Sequence, residues 1–328
     1  MPNIWRILHY EVSEFSLRST IQEKNEAWGV LMATEEGGLD LLESIIEGQF
    51  GKSVAYAVTA SLAMVATLAI KGGRPIPLTL TGSASSLKST SLEIIAGGLN
   101  DGPEELAIVV DNFTAKSWVS APKDDEGVDL LESIPSKVLI TSDLGVVFNK
   151  PLSQFLEFAS ITTRILDGFG FSYASSKKIS GNRDPFAFVW LGATIEQPTD
   201  KIWRVYSSLG PRLYYLSMPD GNTNPSVDEL VNLLTTGADY RAKILSCNRA
   251  VSAFFRSIQF RVNSVTWNRE KDSREALVVL AKAAKILRIL RAGISERSVN
   301  LENSVRCVSI FHLMASGFAV LHRRNWID

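Results

Sequence analysis

Two hydrophobic patterns alternate along the middle of the chain. Short apolar runs rich in β-branched and aromatic residues have the length of buried strands; they lie at residues 77–82, 106–113, 137–143, 186–194 and 212–218. Stretches with helical periodicity lie between several of these runs, at residues 87–96, 152–166 and 202–208. Strands that alternate with helices predict an α/β fold, in which helices cover both faces of a parallel sheet.

The two ends of the chain carry the helical pattern alone. Residues 1–72 are mostly helical in pattern, and a Gly-Gly-Arg-Pro breaker follows them. After Pro219 the strand pattern disappears, and four helices are predicted, at residues 227–234, 240–255, 275–292 and 303–322. The sequence therefore predicts a helical N-terminal segment (1–72), an α/β core (73–222) and a helical C-terminal lid (223–328).

One helix raises the question of a membrane. Residues 53–70 form an uncharged run of 18 residues between Lys52 and Lys71, at the lower limit of spanning length. The run is rich in Ala, Ser and Thr, which favours a closely packed buried helix over contact with lipid. We expect no membrane partner, although a membrane-associated protein anchored by this run stays an alternative.

Charge divides the chain at the same place as the pattern. Of 328 residues, 45% are hydrophobic and 21% charged, which excludes wholesale disorder and a fibrous repeat. The net charge of −1 argues against a protein that coats nucleic acid through bulk charge. Residues 223–328 carry 16 basic and 9 acidic side chains, net +7, so residues 1–222 carry −1 − 7 = −8.

The two cysteines, Cys247 and Cys307, are too few for a disulfide framework and have no CxxC spacing for zinc. The N-terminus lacks the basic, apolar and small-residue order of a signal peptide. These features predict two buried thiols in a cytoplasmic protein.

A candidate phosphate loop follows the first strand and begins a helix. It consists of Gly82, Ser83, Ala84, Ser85, Ser86, Leu87, Lys88, Ser89 and Thr90. In this context a Walker A loop places backbone N–H groups and a helix N-terminus around phosphates. Lys88 would contact the β- and γ-phosphates of ATP and Ser89 would bind Mg²⁺, although Leu87 stands where the pattern GxxxxGK[ST] has glycine. A serine-rich capping turn with an incidental lysine is the alternative.

An ATPase of this kind also needs a carboxylate at the end of a neighbouring strand. Asp111 lies 111 − 88 = 23 residues after Lys88, and Asp143 lies 143 − 88 = 55 residues after it. The longer gap leaves room for the helix–strand unit that phosphate-loop sheets commonly insert, so it favours Asp143, while a strand-end cap is the alternative for each. Leu144 stands where Walker B has glutamate, so Asp143 is either the metal-shell acid or, with Ser142 in the first acidic position, the base that activates water.

The order of these motifs resembles the AAA+ ATPases, and among them the minichromosome maintenance helicases and related helicase-like ATPases of mobile elements. Residues 82–89 look like the helicases' loop with a relaxed second glycine, and residues 186–194 resemble the sensor 1 strand, with Thr194 in the sensor position. Residues 207–216 are similar to the segment with the arginine finger, here Arg212. Residues 302–327 look like the lid helix with the sensor 2 arginine, here Arg306. The resemblance covers residues 55–328.

This resemblance implies ATP and Mg²⁺ as cofactors and a homo-oligomer, with a hexamer expected, because Arg212 would act on a neighbour's ATP. Catalytic roles would fall to Lys88, Asp143, Thr194, Arg212 and Arg306, and the metal would be held by Ser89 and Asp143. DNA and other replication proteins are the implied partners. Taken singly, each arginine is also consistent with a surface or helix-end charge.

In the helicases, the interval that corresponds to residues 168–184 holds a β-hairpin with a basic tip. Lys177, Lys178 and Arg183 would contact the DNA backbone there without reading bases; a solvated loop is the alternative. In the predicted helix 275–292, the basic residues Lys282, Lys285 and Arg288 are expected to form a solvent-exposed face. A winged-helix-like DNA contact is the alternative.

The residues thus predict an ATP-hydrolysing AAA+ motor, a ring-forming DNA helicase or translocase. The alternative is a weakly active or inactive nucleotide-gated adaptor in replication, partition or defence. Leu87, Thr194 and the missing Walker B glutamate favour that alternative.

Overall fold

The protein is described from a computed structural model. The structure describes residues 38–84, 86–102, 104–112, 115–118, 130–168, 170–174, 179–182, 186–195, 212–218, 240–290, 293–295, 298–300 and 304–328.

The centre of the fold is a five-stranded, wholly parallel sheet with the order β2-β3-β6-β1-β7. The strands are β1 (Ile76–Thr81), β2 (Ala107–Val109), β3 (Val138–Thr141), β4 (Phe171–Ala174), β5 (Ile179–Asn182), β6 (Val189–Thr194), β7 (Tyr214–Ser217), β8 (Gly293–Ser295) and β9 (Ser298–Asn300). All residues of β1, β3 and β6 are buried, as expected for strands covered on both faces. The predicted α/β architecture with a parallel sheet is confirmed.

Helices flank this sheet and extend beyond it. They are α1 (Gly38–Phe50), α2 (Lys52–Ala66), α3 (Lys88–Leu99), α4 (Ala115–Trp118), α5 (Leu130–Ser133), α6 (Gly145–Phe148), α7 (Leu152–Leu166), α8 (Tyr240–Ser257), α9 (Arg274–Leu290) and α10 (Ser304–Leu321). The predicted helix at 202–208 and the one at 227–234 lie outside the described residues.

Helix α2 is the apolar run that raised the membrane question. It packs against α1, α3 and α10, and all of its residues from Ala57 to Ala66 are buried. Among the described residues, one segment, 52–69, is long and apolar enough to cross a membrane, and 78% of it is buried inside the fold. This burial is the pattern of a core helix, so the structure is compatible with a protein that does not enter a membrane.

The C-terminal helices pack directly onto the α/β core. Helix α8 lies against α3, where Gly97 and Gly98 allow a close approach; a Cβ on Gly98 would lie 2.5 Å from Val251. Helix α10 crosses α2 at Gly317. One hydrophobic cluster therefore contains residues of all three predicted segments, among them Leu42, Ile94 and Phe254.

Two short hairpins lie outside the main sheet. Strands β4 and β5 pair antiparallel within the interval where the resemblance implied a hairpin. Strands β8 and β9 pair antiparallel between α9 and α10. This second hairpin is a departure from the sequence analysis, which predicted helices without strands after Pro219. Its strands are three residues long and partly polar, so they carry no periodic signal.

Cys247 and Cys307 are both buried and neither forms a disulfide, as predicted. Burial raises the pKa of the Cys247 thiol to about 12.

Candidate functional site

A cleft of about 310 Å³ opens at the carboxyl edge of the sheet, where β1, β3 and β6 end. Its lining residues come from the loop after β1, the first turn of α3 and the ends of β3 and β6: Ala84, Ser86, Leu87, Lys88, Ser89, Thr90, Ser142, Asp143, Ala193, Thr194 and Ile195. The crevice beyond the carboxyl ends of parallel strands is the usual ligand site of such sheets. Most of the predicted loop therefore lines one cleft; Ser85 lies outside the described residues.

Lys88 closes the loop on itself. Its buried Nζ donates hydrogen bonds to the carbonyl oxygens of Gly82 (2.9 Å) and Ser83 (2.7 Å) and to Ser86 Oγ (2.9 Å). An ammonium has three N–H donors, so these bonds engage all of them. An anion in the cleft would have to exchange with at least one of these acceptors to contact Lys88.

Gly82 is where the chain leaves β1, and its lack of a side chain has a local reason. A Cβ at this position would lie 2.9 Å from Ser86 Oγ, the same oxygen that accepts from Lys88. A Cβ at the first position of this turn would therefore displace the Ser86 hydroxyl from its contact with Lys88.

Leu87 adopts the left-handed conformation, with φ 59° and ψ 24°, immediately before α3. This is the position at which the Walker A pattern has glycine, and a left-handed conformation is the reason why glycine is favoured there. At this one position the backbone has a conformation that favours glycine, and Leu87 carries the associated strain.

The electrostatics of the cleft centre on Lys88 and Asp143. Burial lowers the pKa of Lys88, and the negative charge of Asp143 acts on it in the opposite direction. Ser89, the predicted Mg²⁺ ligand, is exposed at the first turn of α3 and lines the same cleft. The Ser89 hydroxyl, the Asp143 carboxylate and the Lys88 ammonium thus line one cleft at the N-terminus of α3. Such a site can bind a phosphate group through the N-terminus and the ammonium, and a hard cation through the two oxygen ligands.

The structure separates the two candidate acids. Asp143 follows β3 and lines the cleft, whereas Asp111 follows the edge strand β2, is exposed and is not among the lining residues. Asp143 Oδ1 also accepts a hydrogen bond from Gly145 N at 2.7 Å, so Asp143 makes the capping contact considered as its alternative role. Among the described residues, no group of three or more His, Cys, Asp or Glu is arranged to hold a metal ion.

Thr194 is the last residue of β6 and pairs in register with Thr81 at the end of β1. It is buried and lines the cleft beside Ile195. The structure therefore brings together four of the six residues predicted to have catalytic or metal-binding roles: Lys88, Ser89, Asp143 and Thr194.

The two candidate arginines lie elsewhere, at the amino edge of the sheet. Arg212 precedes β7, and its Nε and Nη2 donate to the two oxygens of Asp167 at 2.8 and 2.9 Å. Arg306, in the first turn of α10, donates from Nη2 to Asp167 Oδ1 at 3.1 Å. Gly168, next to Asp167, lies against Pro75 just before β1. Since β1 has six residues and spans about 20 Å, neither arginine contacts the cleft of its own chain.

The three candidate DNA-binding residues, Lys177, Lys178 and Arg183, lie outside the described residues. The described strands on either side of the two lysines, β4 and β5, pair from Phe171 with Asn182 to Ala174 with Ile179. The lysines therefore belong to the connection between two paired strands.

Two contacts around these sites have no signal in the sequence. Thr90, in the cleft, shares a hydrogen bond with Tyr240 at the start of α8, and Asp167 joins Arg212 to Arg306. Both contacts join residues far apart in the chain, and Tyr240 and Asp167 belong to no motif.

Comparison with protein-family models gave no match, and comparison with curated proteins gave none either. Function is therefore inferred from the residues and their geometry.

Proposed function

We propose that this chain binds ATP with Mg²⁺ in the cleft at the carboxyl edge of the sheet and hydrolyses it, as a ring-forming AAA+ motor that acts on DNA. The observation that carries the proposal is the convergence of Lys88, Ser89, Asp143 and Thr194 from three adjacent strand ends on one cleft. The insertion of β6 between β1 and β3, with β2 at the edge, supports the choice of Asp143 as the acid.

The residues of the cleft suit the proposed ligands. Lys88 would exchange its loop acceptors for phosphate oxygens, and the N–H groups at the start of α3 would donate to the same phosphates. Ser89 and Asp143 would hold Mg²⁺, which supplies charge neutralisation at the phosphates during hydrolysis. Thr194 would orient the attacking water through its hydroxyl group.

Hydrolysis of this type also requires cations near the γ-phosphate. In this chain the candidate cations, Arg212 and Arg306, lie at the opposite edge from the cleft. This separation supports a role in trans, in which the arginine edge of one copy meets the cleft of the next. A homo-oligomer, with a hexamer as the expected form, follows from that arrangement.

DNA binding is proposed for the β4–β5 hairpin. Lys177 and Lys178 would contact phosphates of the DNA backbone inside a ring, so a small basic tip is sufficient despite the net charge of −1.

The second candidate function is a nucleotide-gated adaptor with little or no hydrolysis. Leu87 favours it, because its strained left-handed backbone bears a bulky, 38% exposed side chain at the edge of the cleft. Leu144 favours it as well, because Walker B proteins carry a glutamate after the strand-end acid and this chain does not.

The test is ATP hydrolysis by the full chain with and without DNA, comparing wild type with Lys88→Ala. We expect DNA-stimulated hydrolysis in wild type and its loss in Lys88→Ala. Lys71→Ala, an exposed lysine in the turn before β1, is the matched control and should behave as wild type. Binding without hydrolysis in wild type would support the adaptor, and no binding of ATP would overturn both functions.

The role in trans is tested by mixing two inactive variants. Lys88→Ala lacks a working cleft and Arg212→Ala lacks the arginine edge. Mixed oligomers would contain junctions with both intact parts, so activity should return on mixing. Activity that stays absent in mixtures, while both variants still assemble, would contradict the trans arrangement.

A further inference from the structure

An aromatic pair lies next to the cleft, where helix α8 meets helix α3. Tyr240, the first residue of α8, has its hydroxyl 2.8 Å from Thr90 Oγ1 in α3. Phe50, the last residue of α1, contacts Tyr240 edge-to-face, with ring centroids 5.8 Å apart and ring planes at 77°. Three helices thus contribute to one small aromatic corner.

This aromatic corner lies next to the residues to which the proposed function assigns the phosphates and the metal. Thr90 lines the cleft and follows Lys88 and Ser89, the two residues to which the proposed function assigns phosphate and metal. Tyr240 is hydrogen-bonded to Thr90 and contacts Phe50, so the two rings lie next to a residue that lines the cleft. A nucleoside triphosphate is longer than its phosphate chain, so its sugar and base need a surface beside the phosphate site.

Tyr240 has the properties of a fixed stacking surface. Its hydroxyl is anchored to Thr90 and its ring is contacted by Phe50, yet 49% of the residue stays exposed. A ring held in place with an open face loses little freedom when a second ring stacks on it. An exposed aromatic residue that is hydrogen-bonded to the cleft lining is a suitable contact for a flat heterocycle.

We propose that Tyr240, supported by Phe50, is the stacking platform for the nucleobase of the bound nucleotide. This inference rests on the proposed function, since it assigns the base end of the same ligand. This contact depends on the area of the stacked ring and not on charge, so a purine nucleotide should bind more tightly than a pyrimidine nucleotide. Inorganic tripolyphosphate has no base, so its binding should not depend on Tyr240.

The experiment measures equilibrium binding of ATP and of inorganic tripolyphosphate, each with Mg²⁺, to the full chain. Tyr240→Ala should weaken ATP binding about tenfold, the usual size of one base–aromatic contact, and leave tripolyphosphate binding unchanged. Tyr240→Phe keeps the ring and should bind ATP close to wild type. Tyr56→Ala is the control for removal of an exposed tyrosine, since Tyr56 is 52% exposed on α2 and does not line the cleft.

A further variant separates loss of the aromatic ring from misfolding of the protein. Tyr240→Leu retains apolar volume at the start of α8 but has no aromatic face, so it should lose ATP affinity as Tyr240→Ala does. UTP binding should fall less than ATP binding in both variants, because a smaller ring has less stacking to lose.

The outcomes separate the two proposals. Failure of wild type to bind either ATP or tripolyphosphate would overturn the proposed function. Normal ATP binding by folded Tyr240→Ala and Tyr240→Leu would overturn the stacking platform and leave the proposed function intact. Equal loss of ATP and tripolyphosphate binding in Tyr240→Phe would also overturn it, since Tyr240 would then act only as a tether between α8 and α3.

Discussion

Arg212 and Arg306 donate to the same carboxylate, that of Asp167, although one arginine precedes the edge strand β7 and the other lies in the last helix. Arg212 is the more enclosed partner, with 11% of its side chain exposed against 38% for Arg306. Asp167 therefore connects the α/β core to the C-terminal helices at the edge of the sheet farthest from the cleft.

Replacement of this shared carboxylate should destabilise the fold. In Asp167→Asn the enclosed Arg212 guanidinium would lose its charged partner, so we expect the free energy of unfolding to fall by about 2 kcal/mol. Urea denaturation measures the change. Glu47→Gln is the control, because Glu47 faces the highly exposed Lys52 at 3.8 Å, and its loss should cost about 0.5 kcal/mol or less. Equal costs in the two variants would contradict a structural role for Asp167.

The assignment of the metal acid gives a second prediction. Asp143→Asn should lower the rate of ATP hydrolysis about 100-fold, because the cleft loses its carboxylate for the metal shell or for the attacking water. Asp111→Asn alters an exposed residue outside the cleft and should retain the wild-type rate. Steady-state phosphate release compares the two variants; a loss of activity in Asp111→Asn alone would reverse the assignment.

Leu87→Gly should be tolerated although it removes a large side chain. Relief of the left-handed strain, about 1–2 kcal/mol, offsets the extra freedom of glycine in the unfolded chain, so stability should change by no more than about 1 kcal/mol. ATP should bind more tightly, because the bulky residue no longer lies at the edge of the cleft.

The matched control for that change is Leu92→Gly, four positions after Lys88 in the same helix. Leu92 is buried in the core, so its replacement should cost about 3–5 kcal/mol. Thermal or urea unfolding of both variants checks the contrast. A Leu87→Gly protein as unstable as Leu92→Gly would show that Leu87 contributes packing that its backbone strain does not outweigh.

The double variant Lys177→Ala, Lys178→Ala tests the hairpin. If each lysine contacts one phosphate, DNA affinity should fall and the slope of log K against log salt should decrease by about 0.7–0.9 per lysine. The pair Lys282→Ala, Lys285→Ala applies the same change in charge to α9 and tests the alternative DNA contact there. Unchanged DNA binding in the first pair with a loss in the second would transfer the DNA site from the hairpin to the C-terminal helices.

Sequence patterns located an amphipathic helix and the strands that are buried along their whole length. The predicted helix 152–166 coincides with α7, and β1, β3 and β6 lie within or within a residue of the predicted runs, because every residue of these strands is buried. The run 106–113 proved too long for a strand. It yields only β2, Ala107–Val109, since an edge strand has one neighbour and Val109 is half exposed.

The contacts of the site were less predictable than its residues. Spacing alone favoured Asp143 over Asp111, and the strand order supports that choice because it places β3 nearer to β1. No periodicity or motif pairs Thr90 with Tyr240, since this contact depends on how α8 packs on α3 at Gly97 and Gly98. Contacts between distant parts of the chain follow from packing, which a single sequence does not display.

The position of the cleft and the arginines at opposite edges of one sheet has a consequence for symmetry. A contact in which the arginine edge of one copy meets the cleft of another joins two different surfaces, so it leaves a free cleft at one end and free arginines at the other. Such a head-to-tail contact cannot be satisfied in a two-fold dimer, and each added copy presents the same unfilled surfaces. Self-association through these edges must therefore either close into a ring, in which every cleft contacts the arginine edge of a neighbouring copy, or continue as a helical filament.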